Sequence, residues 1–386
     1  MRHQNRIFHC LLKHIPRSRF QPIVDRYCGD KHIRSLDCWS QMGALIYAQL
    51  SGSRSLRDVE GALASHHHQT YHLGIGRVRR STLADANAAR APEIFEEVFS
   101  LLLDKLQGLR GGAKEEMCAV LRLIDATPIK LGLDCKDWAQ FSSRYVGAKA
   151  HFIYDPDADI PVYFSVTKGN VNDIAAAKQM PIEPDATYVF DKGYYDFGWW
   201  AELTRQNCTF VTRLKKNTRG DLIKDLEPVG ENIVLDRIIR FTKRMAGSRK
   251  NPYLKPLREI VVRRDNGEEL RLVTNDCTSP ASQIAALYKR RWAIELFFKW
   301  IKQNLKIRKF LGTSENAIRI QIIVAMIAYL LIALVRQMLP GNLNMTRLTR
   351  LIAANLMQRK SFKQMLMPPP KYPPPALATP QMQMAL

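Results

Sequence analysis

The chain has 386 residues, of which 46% are hydrophobic and 24% are charged, and this is the composition of an ordinary folded protein rather than of a disordered chain. Lys and Arg number 58 against 36 acidic residues, so the formal net charge is +22. Such an excess favours a polyanionic partner, with nucleic acid first and an anionic membrane surface second. The seven cysteines form no C-x-x-C pair, which argues against a zinc site or a disulfide framework and favours a reducing, cytoplasmic compartment.

The membrane alternative is weakened by the apolar runs. The N-terminus carries positive charge but lacks an apolar run long enough for a signal peptide. The longest apolar stretch, Ile322 to Val335, has fourteen residues, whereas a membrane-spanning helix needs about 20. We therefore predict a buried helix here and no membrane partner.

The first 110 residues have the pattern of a helical region. Asp37 can cap a helix that ends at Ser51-Gly52, and Ser55 with an aspartate three residues later resembles a capping box for a second helix. A third helix is predicted from Ser81, and a fourth follows Pro92, where apolar residues recur at helical spacing.

Basic residues lead into the third of these helices, at Arg77, Arg79 and Arg80. Short helices joined by Gly-containing turns, with such a basic run, fit a helical DNA-binding domain over residues 1–110. The alternative is a helical bundle that only packs on the rest of the chain.

The pattern changes to strands after residue 117. The segment MCAVLRLID predicts a buried strand that ends in Asp125, and AKAHFIYD with PVYFSVT predicts a hairpin around the turn at 156–159. TYVFD is a second apolar strand that ends in an aspartate, Asp191, and a helix and a strand follow it. The predicted elements, in chain order, are three strands, a helix, a strand, a helix and a strand, which is the ribonuclease-H-like order. This order predicts an α/β fold with both aspartates at the carboxyl ends of strands.

The remaining segments complete the predicted organisation. A catalytic domain is expected over 111–340, interrupted by a mostly β insertion at about 214–280, whose strand candidates are ENIVLD, REIVVRR and EELRLVTN. Residues 341–386 are predicted to form a C-terminal helical segment and a Pro-rich tail.

One helix, predicted from Ala281 to Asn304, carries an unusual stripe of charge. Successive residues of a helix are rotated by about 100°, which places four side chains on one narrow stripe: Tyr288, Arg291, Glu295 and Lys302. Lys299 lies beside this stripe, and apolar residues occupy the opposite face. The stripe could be a solvated face with Arg291 and Glu295 as a plain i,i+4 ion pair. Alternatively, Glu295 binds a metal and the cations hold phosphates.

Carboxylates explain the second alternative chemically. Mg²⁺ and Mn²⁺ prefer oxygen ligands. Two such ions about 3.5–4 Å apart can activate an attacking water or 3′-hydroxyl and stabilise the leaving oxygen of a phosphodiester. Asp125, Asp191 and Glu295 can provide this site only if the fold brings them together.

Three segments resemble the catalytic blocks of DDE transposases, namely LRLIDATPI, YVFDKGYYDFGWW and YKRRWAIELFFKWIK. The last contains Y-x2-R-x3-E-x6-K, which resembles the signature of the insertion-sequence-four family of bacterial transposases and falls on Tyr288, Arg291, Glu295 and Lys302. The N-terminal segments resemble the helical domain that precedes this core in one branch. The resemblance spans nearly the whole chain except the Pro-rich tail.

The resemblance implies cleavage of double-stranded DNA at transposon ends and transfer of the freed 3′-hydroxyl to target DNA, dependent on Mg²⁺ or Mn²⁺. It implies a homodimer or higher multimer in a synaptic complex, in a nucleoid-associated bacterial protein. Asp125, Asp191 and Glu295 match the catalytic triad.

The resemblance also places Tyr288, Arg291 and Lys302 near transposon-end phosphates. To these we add Lys192, Lys299 and the basic run at 77–80 as predicted DNA contacts. Some relatives form a DNA hairpin and stack a flipped base on a tryptophan of the insertion. Residues 214–280 contain no Trp, although Phe241 and Tyr253 could stack on a base, so the hairpin route stays open.

Two other functions use the same features. A structure-selective nuclease would need the same carboxylates without strand transfer, and a non-enzymatic DNA-binding regulator would need only the basic surface.

Among minor patterns, Asp155, Asp157 and Asp159 are assigned to a hairpin turn rather than a calcium loop. His66–His68 and His72 are assigned to a polar loop, and Trp199 with Trp200 to the core.

Overall fold

A computed structural model describes residues 6–110, 120–142, 145–215, 217–242, 244–245, 249–305, 307, 310–341 and 343–367. The Pro-rich tail, Lys216 and Lys243 lie outside the described residues.

The N-terminal region is helical, as predicted. Its helices are α1 (Ile7–Leu12), α2 (Arg17–Arg26), α3 (Cys38–Ser51), α4 (Leu56–Ser65), α5 (His67–Thr70), α6 (Arg80–Ala89) and α7 (Glu93–Arg110). Asp37 caps α3 by accepting a hydrogen bond from the amide of Ser40, and Gly52 ends that helix with a left-handed φ of 78°. Ser55 caps α4 in the same way.

One prediction in this region is wrong. The run of histidines was expected to form a polar loop, but His67 and His68 lie in α5, and Tyr71–Leu73 continues as a 3-10 turn. The turn ends at Gly74, which has a left-handed φ of 66°. Local helical hydrogen bonds from Gln69 and Thr70 to the carbonyl of His66 account for the difference, since they satisfy the backbone without any long-range partner.

The central part of the chain forms a large mixed sheet. Its first strands are β1 (Leu121–Lys130), β2 (Gln140–Ser142), β3 (Tyr145–Asp155), β4 (Ile160–Lys168), β5 (Thr187–Phe190) and β6 (Thr209–Arg213), with the short helices α8 (Lys136–Ala139) and α9 (Asp173–Ala177) and the helix α10 (Phe197–Arg205) between them. β4, β3 and β1 pair antiparallel, whereas β1, β5 and β6 pair parallel. The strand order β4-β3-β1-β5-β6 is the predicted ribonuclease-H-like arrangement.

The predicted insertion consists mostly of strands. Four of them continue the same sheet, namely β7 (Asp221–Leu226), β8 (Ile233–Arg240), β11 (Leu257–Arg263) and β12 (Glu269–Thr274), whereas the short strands β9 (Arg244–Met245) and β10 (Arg249–Lys250) pair with each other. β12 pairs with β6, and the order continues through β11 and β8 to β7. Buried ion pairs hold this extension together, because Arg258 donates to Asp236 at 2.6 Å and Glu259 accepts from Arg271 at 2.7 Å.

The C-terminal part is helical, with α11 (Ala281–Arg290), α12 (Trp292–Asn304), α13 (Glu315–Met338), α14 (Met345–Asn355) and α15 (Phe362–Leu366). The single helix predicted from Ala281 to Asn304 is therefore two helices. At Arg291 the amide bonds to the carbonyl of Tyr288, three residues back, and Ile294 bonds to Arg291 in the same way. These i→i+3 bonds tighten the turn and break the helix there.

Helix α13 forms the centre of the core. It contains the apolar run predicted to be a buried helix, and every side chain from Ile320 to Val335 is buried. By length and composition α13 could cross a membrane, but within the protein it packs against α3, α6, α7 and α14. The N-terminal helices thus share one hydrophobic core with α13 and the sheet, which is the packing of the bundle alternative.

Candidate catalytic site

Asp125 lies in the middle of β1 rather than at its carboxyl end, so that detail of the prediction is wrong. The parallel pairing of β1 with β5 stops at Ile124 and Phe190, while β1 continues to Lys130 against β3. Asp125 is therefore the first residue of β1 beyond the point where β5 ends. Its Oδ1 accepts a hydrogen bond of 2.8 Å from the amide of Ala126, and the side chain is 22% exposed.

Asp191 directly follows β5, as predicted, and begins the 3-10 turn Lys192–Tyr194. Its Oδ1 lies 3.4 Å from the hydroxyl of Tyr288 and 3.7 Å from Nη1 of Arg213. The two aspartates come from neighbouring strands that separate just before each of them. A cleft between diverging parallel strands is the usual place for a ligand in such sheets.

Glu295 lies in the first turn of α12, and Arg291 links it to the sheet. Nη2 of Arg291 is 2.5 Å from Oε1 of Glu295, and Nη1 is 3.6 Å from Oδ2 of Asp125. The apolar face predicted for this helix is confirmed, because Ile294, Phe297 and Ile301 are buried. Phe297 packs edge-on against Phe152, the strand partner of Asp125, and this contact sets α12 over the site.

The pKa of Asp125 is raised to about 6. Burial is the main cause, and the charges of Asp191 and Glu295 add to it, while the Ala126 amide and the Arg291 guanidinium act in the opposite direction. Burial also raises the pKa of Tyr288 to about 12, so this residue stays a neutral hydroxyl at physiological pH.

The donor set suits a hard divalent cation. All three acidic side chains offer carboxylate oxygens, which Mg²⁺ and Mn²⁺ prefer, and each is partly exposed. In the described part of the chain, no group of three acidic, His or Cys side chains is already arranged as a ready ligand set. Instead, the positive charge of Arg291 stands between Asp125 and Glu295, and its buried Nε has no hydrogen-bond partner. The residues fit a divalent ion once Arg291 turns away.

The predicted DNA contacts fall into three places. Tyr288 and Arg291 touch the acidic residues directly. Lys192, which follows Asp191, and Lys299, one turn after Glu295 on α12, are exposed, and Lys302 lines a groove of about 560 Å³ with Lys130 at the end of β1. Arg77 and Arg79 are exposed before α6 and Arg80 is exposed at its first position, and the described structure records no contact between these residues and the three acids.

The structure corrects the proposed base-stacking residues. Phe241 and Tyr253 are buried, 2% exposed each, and pack against Phe197 and Phe210. They are therefore unavailable to a base. Trp292, which follows Arg291, is 57% exposed and lines a cavity of about 610 Å³ between α11 and the insertion strands.

Sequence reasoning also missed the polar groups behind the aspartates. Arg213 ends β6 beside Asp191, and Tyr194 occupies the fourth position of the D-x-G-Y block. Tyr194 is 1% exposed, and its hydroxyl has no hydrogen-bond partner within the described residues. This D-x-G-Y run, Asp191 to Tyr194, lies within the segment YVFDKGYYDFGWW that resembles a catalytic block, so the tyrosine itself was the available signal.

Two family models match the chain. The first is described as the transposase DDE domain and covers residues 116–331, more than half of the chain. The chain belongs to the DDE transposase family. The second model, described as a domain of unknown function (DUF4372), matches residues 3–76 of this transposase.

Curated relatives agree with this assignment. A Sinorhizobium fredii protein named as the transposase y4zB is 43% identical over 296 residues, which cover 75% of this chain and 81% of the relative. A Geobacillus stearothermophilus protein named as the transposase of the insertion sequence element IS5377 is 30% identical over 215 residues, 55% of either chain. The transposase is therefore similar to proteins of bacterial insertion sequences, and the predicted family and enzyme class are confirmed.

Among solved structures, the transposase resembles a piggyBac transposase synaptic complex with hairpin DNA. The match has a TM-score of 0.46 and 11% identity, and it covers 96% of this chain and 84% of the other.

Proposed function

We propose that this transposase cleaves the ends of its insertion sequence and joins the freed 3′-hydroxyls to target DNA at a Mg²⁺ or Mn²⁺ centre held by Asp125, Asp191 and Glu295. The observation that supports this most directly is that one side chain, Arg291, pairs with both Asp125 and Glu295, while Asp191 directly follows β5, the strand beside Asp125. When bound there, a pair of divalent ions activates the attacking hydroxyl and stabilises the leaving oxygen.

The protein's own side chains hold the reacting phosphate. Arg291 has a planar guanidinium that can bind two oxygens of a phosphate at once. It can leave Glu295 for the phosphate when a metal neutralises that carboxylate. Tyr288, kept neutral, contributes a hydroxyl donor beside Asp191.

Double-stranded DNA follows the basic surface around this centre. Lys192, next to Asp191, and Lys299 and Lys302, on the helix of Glu295, neutralise backbone phosphates, which gives affinity without sequence information. Arg77, Arg79 and Arg80 extend the basic surface into the N-terminal helical region, which we propose reads the terminal DNA. The exposed ring of Trp292 offers a face on which a base can stack.

Transposition joins two DNA ends, so we propose that the transposase acts as a homodimer or higher multimer on the bacterial nucleoid. Sedimentation of the protein with and without end DNA measures this. A particle that contains only one protein chain and one DNA end at saturation would contradict it.

The function is tested with purified protein and its element's end DNA. With Mg²⁺ we expect nicking at the end and joining to a second plasmid, and with EDTA neither reaction. Asp191→Asn removes one charge of the metal site and should abolish both reactions. The matched control is Asp225→Asn, at an exposed position on β7, which should retain both.

Two results would contradict the proposal. Equal cleavage by Asp191→Asn would remove the metal site from the mechanism. Metal-dependent cleavage without any joining would instead indicate a nuclease.

A further inference from the structure

A second group of polar side chains, Lys149, His151 and Asp173, lies beside the segment that follows Asp191. Asp125 pairs in register with Phe152, whose ring faces α12. The next pair is Ala126 with His151, and alternate residues of a strand face opposite sides. His151 therefore leaves the sheet on the face opposite to Asp125, toward α9.

Asp173 is held in this group by two neighbours from β3. Asn172 caps α9, which places Asp173 in the first turn of that helix. Nζ of Lys149 donates to Oδ1 of Asp173 at 2.9 Å, and Nδ1 of His151 lies 3.9 Å from the same oxygen. No hydrogen bond to Oδ2 occurs among the described residues. Oδ2 lies 3.9 Å from the position that a Cβ on Gly193 would take, which brings Asp173 against the D-x-G-Y segment.

Tyr194 connects this group with the metal-holding acids. The charges of Asp125, Asp173 and Asp191 all act on the Tyr194 hydroxyl and, after burial, raise its pKa. The side chain is 1% exposed and its hydroxyl is unpartnered in the described structure. The buried Nδ1 of His151 is unpartnered there as well.

Buried polar atoms without partners are rare in folded proteins and need a physical reason. Here two such atoms, the hydroxyl of Tyr194 and Nδ1 of His151, lie near acidic side chains at a site that is proposed to bind a cation. Carboxylates that bind a metal are in turn hydrogen-bonded by residues around them. A cation with its bound water between these carboxylates would supply partners for both orphaned atoms.

We propose that Asp173 is a fourth carboxylate of the metal centre, with Oδ1 held by Lys149 and Oδ2 offered to a divalent ion or to its bound water. Tyr194 is the positioning residue between Asp173 and the two aspartates. The inference rests on the proposed function, since it extends the same centre.

The test measures Mn²⁺ binding to the full chain without DNA, by the electron paramagnetic resonance signal of free Mn²⁺. Asp173→Asn keeps the shape but removes the charge, and Tyr194→Phe keeps the ring but removes the hydroxyl. We expect each to weaken Mn²⁺ binding by about 10-fold or more, the scale found for groups that surround metal ligands. The two changes together should weaken binding less than the product of the separate effects, since they act on one unit.

A matched control is available at the neighbouring residue. Tyr195→Phe also removes one hydroxyl, but that hydroxyl bonds to Thr218 at 2.8 Å, away from the acids. Mn²⁺ binding by this variant should not change. Tyr194→Phe removes an unpartnered group, so we expect it to fold and to melt like the unmodified protein.

The outcomes separate the two proposals. If Asp191→Asn loses Mn²⁺ binding while Asp173→Asn and Tyr194→Phe bind as before, the metal centre stands and the fourth carboxylate is overturned. If Asp191→Asn also binds as before, the proposed metal centre itself is overturned. Weakening by Tyr195→Phe equal to that by Tyr194→Phe would also overturn the inference.

Discussion

The core around α13 and the cleft between β1 and β5 differ in whether their polar groups have hydrogen-bond partners. Around α13 the apolar side chains are buried, and the few polar ones are paired, as where Gln321 accepts from the amide of Leu311 at 2.8 Å. In the cleft, partly exposed carboxylates crowd together, and Tyr194 and Arg291 keep buried atoms without partners in the described structure. Apolar burial dominates in the core, whereas the cleft concentrates acidic charge that Arg291 and Arg213 partly balance.

The comparison predicts that changes in the cleft affect chemistry far more than folding. Glu295→Gln should lower metal-dependent cleavage of end DNA by more than about 100-fold, because a ligand matters more than the groups around it. Binding of end DNA should persist, since the shape is preserved. Gel-shift and cleavage assays on the same preparation measure both.

The control for Glu295→Gln is Glu227→Gln, at an exposed position after β7, which should cleave normally. Cleavage by Glu295→Gln at the unmodified rate would show that this helix carries no ligand.

Changes in the core should affect folding far more than chemistry. Leu330 is fully buried in α13, so Leu330→Ala should lower the free energy of unfolding by about 2–5 kcal/mol. Mn²⁺ affinity of the fraction that remains folded should stay the same. Denaturant unfolding with and without Mn²⁺ measures both quantities.

The matched control on the same helix is Met338→Ala, because Met338 is 63% exposed. Its effect on the free energy of unfolding should stay within about 0.5 kcal/mol. Equal effects of the two substitutions would mean that α13 is not the centre of the core.

Within the cleft, Arg291 pairs with Asp125 and Glu295 and is proposed to bind a phosphate of the DNA. Arg291→Gln should weaken binding to end DNA and to unrelated DNA alike and lower the salt dependence of binding by about one phosphate contact. Mn²⁺ should bind to this variant at least as tightly, because no cation then competes for Glu295. Weaker binding of Mn²⁺ would instead show that Arg291 supports the metal centre.

The smallest effect concerns pH. Since the pKa of Asp125 is raised to about 6 from 3.8, the folded protein favours its protonated form. The resulting stabilisation is complete below pH 3.8 and is lost as the pH rises through about 6. Asp125→Asn, measured in EDTA, should therefore gain stability relative to the unmodified protein between pH 4 and pH 8.

Tyr195→Phe is the control for Asp125→Asn, because this substitution changes no carboxylate. A constant difference in unfolding free energy between Asp125→Asn and the unmodified protein across this range would contradict the prediction. For the same reason, Mn²⁺ affinity of the unmodified protein should fall below about pH 6.

Much of this organisation could be predicted because it depends on local chemistry. Caps at Asp37 and Ser55, the buried run in α13 and the order of the strands follow from residue type and spacing. Other features depend on distant partners. The burial of Phe241 depends on α10, and the break at Arg291 places its guanidinium between Glu295 and Asp125.

The sequence by itself determined the family, the three acidic candidates and the helical and strand segments, because catalytic residue types at set spacing and apolar periodicity are properties of short segments. Only the tertiary structure decided that β12 joins the insertion to the main sheet and that the N-terminal helices share a core with α13. It also brought Asp173 and Tyr194 toward Asp125 and Asp191. Pairing between strands and burial between layers depend on residues far apart in the chain, and no local pattern specifies which distant surfaces meet.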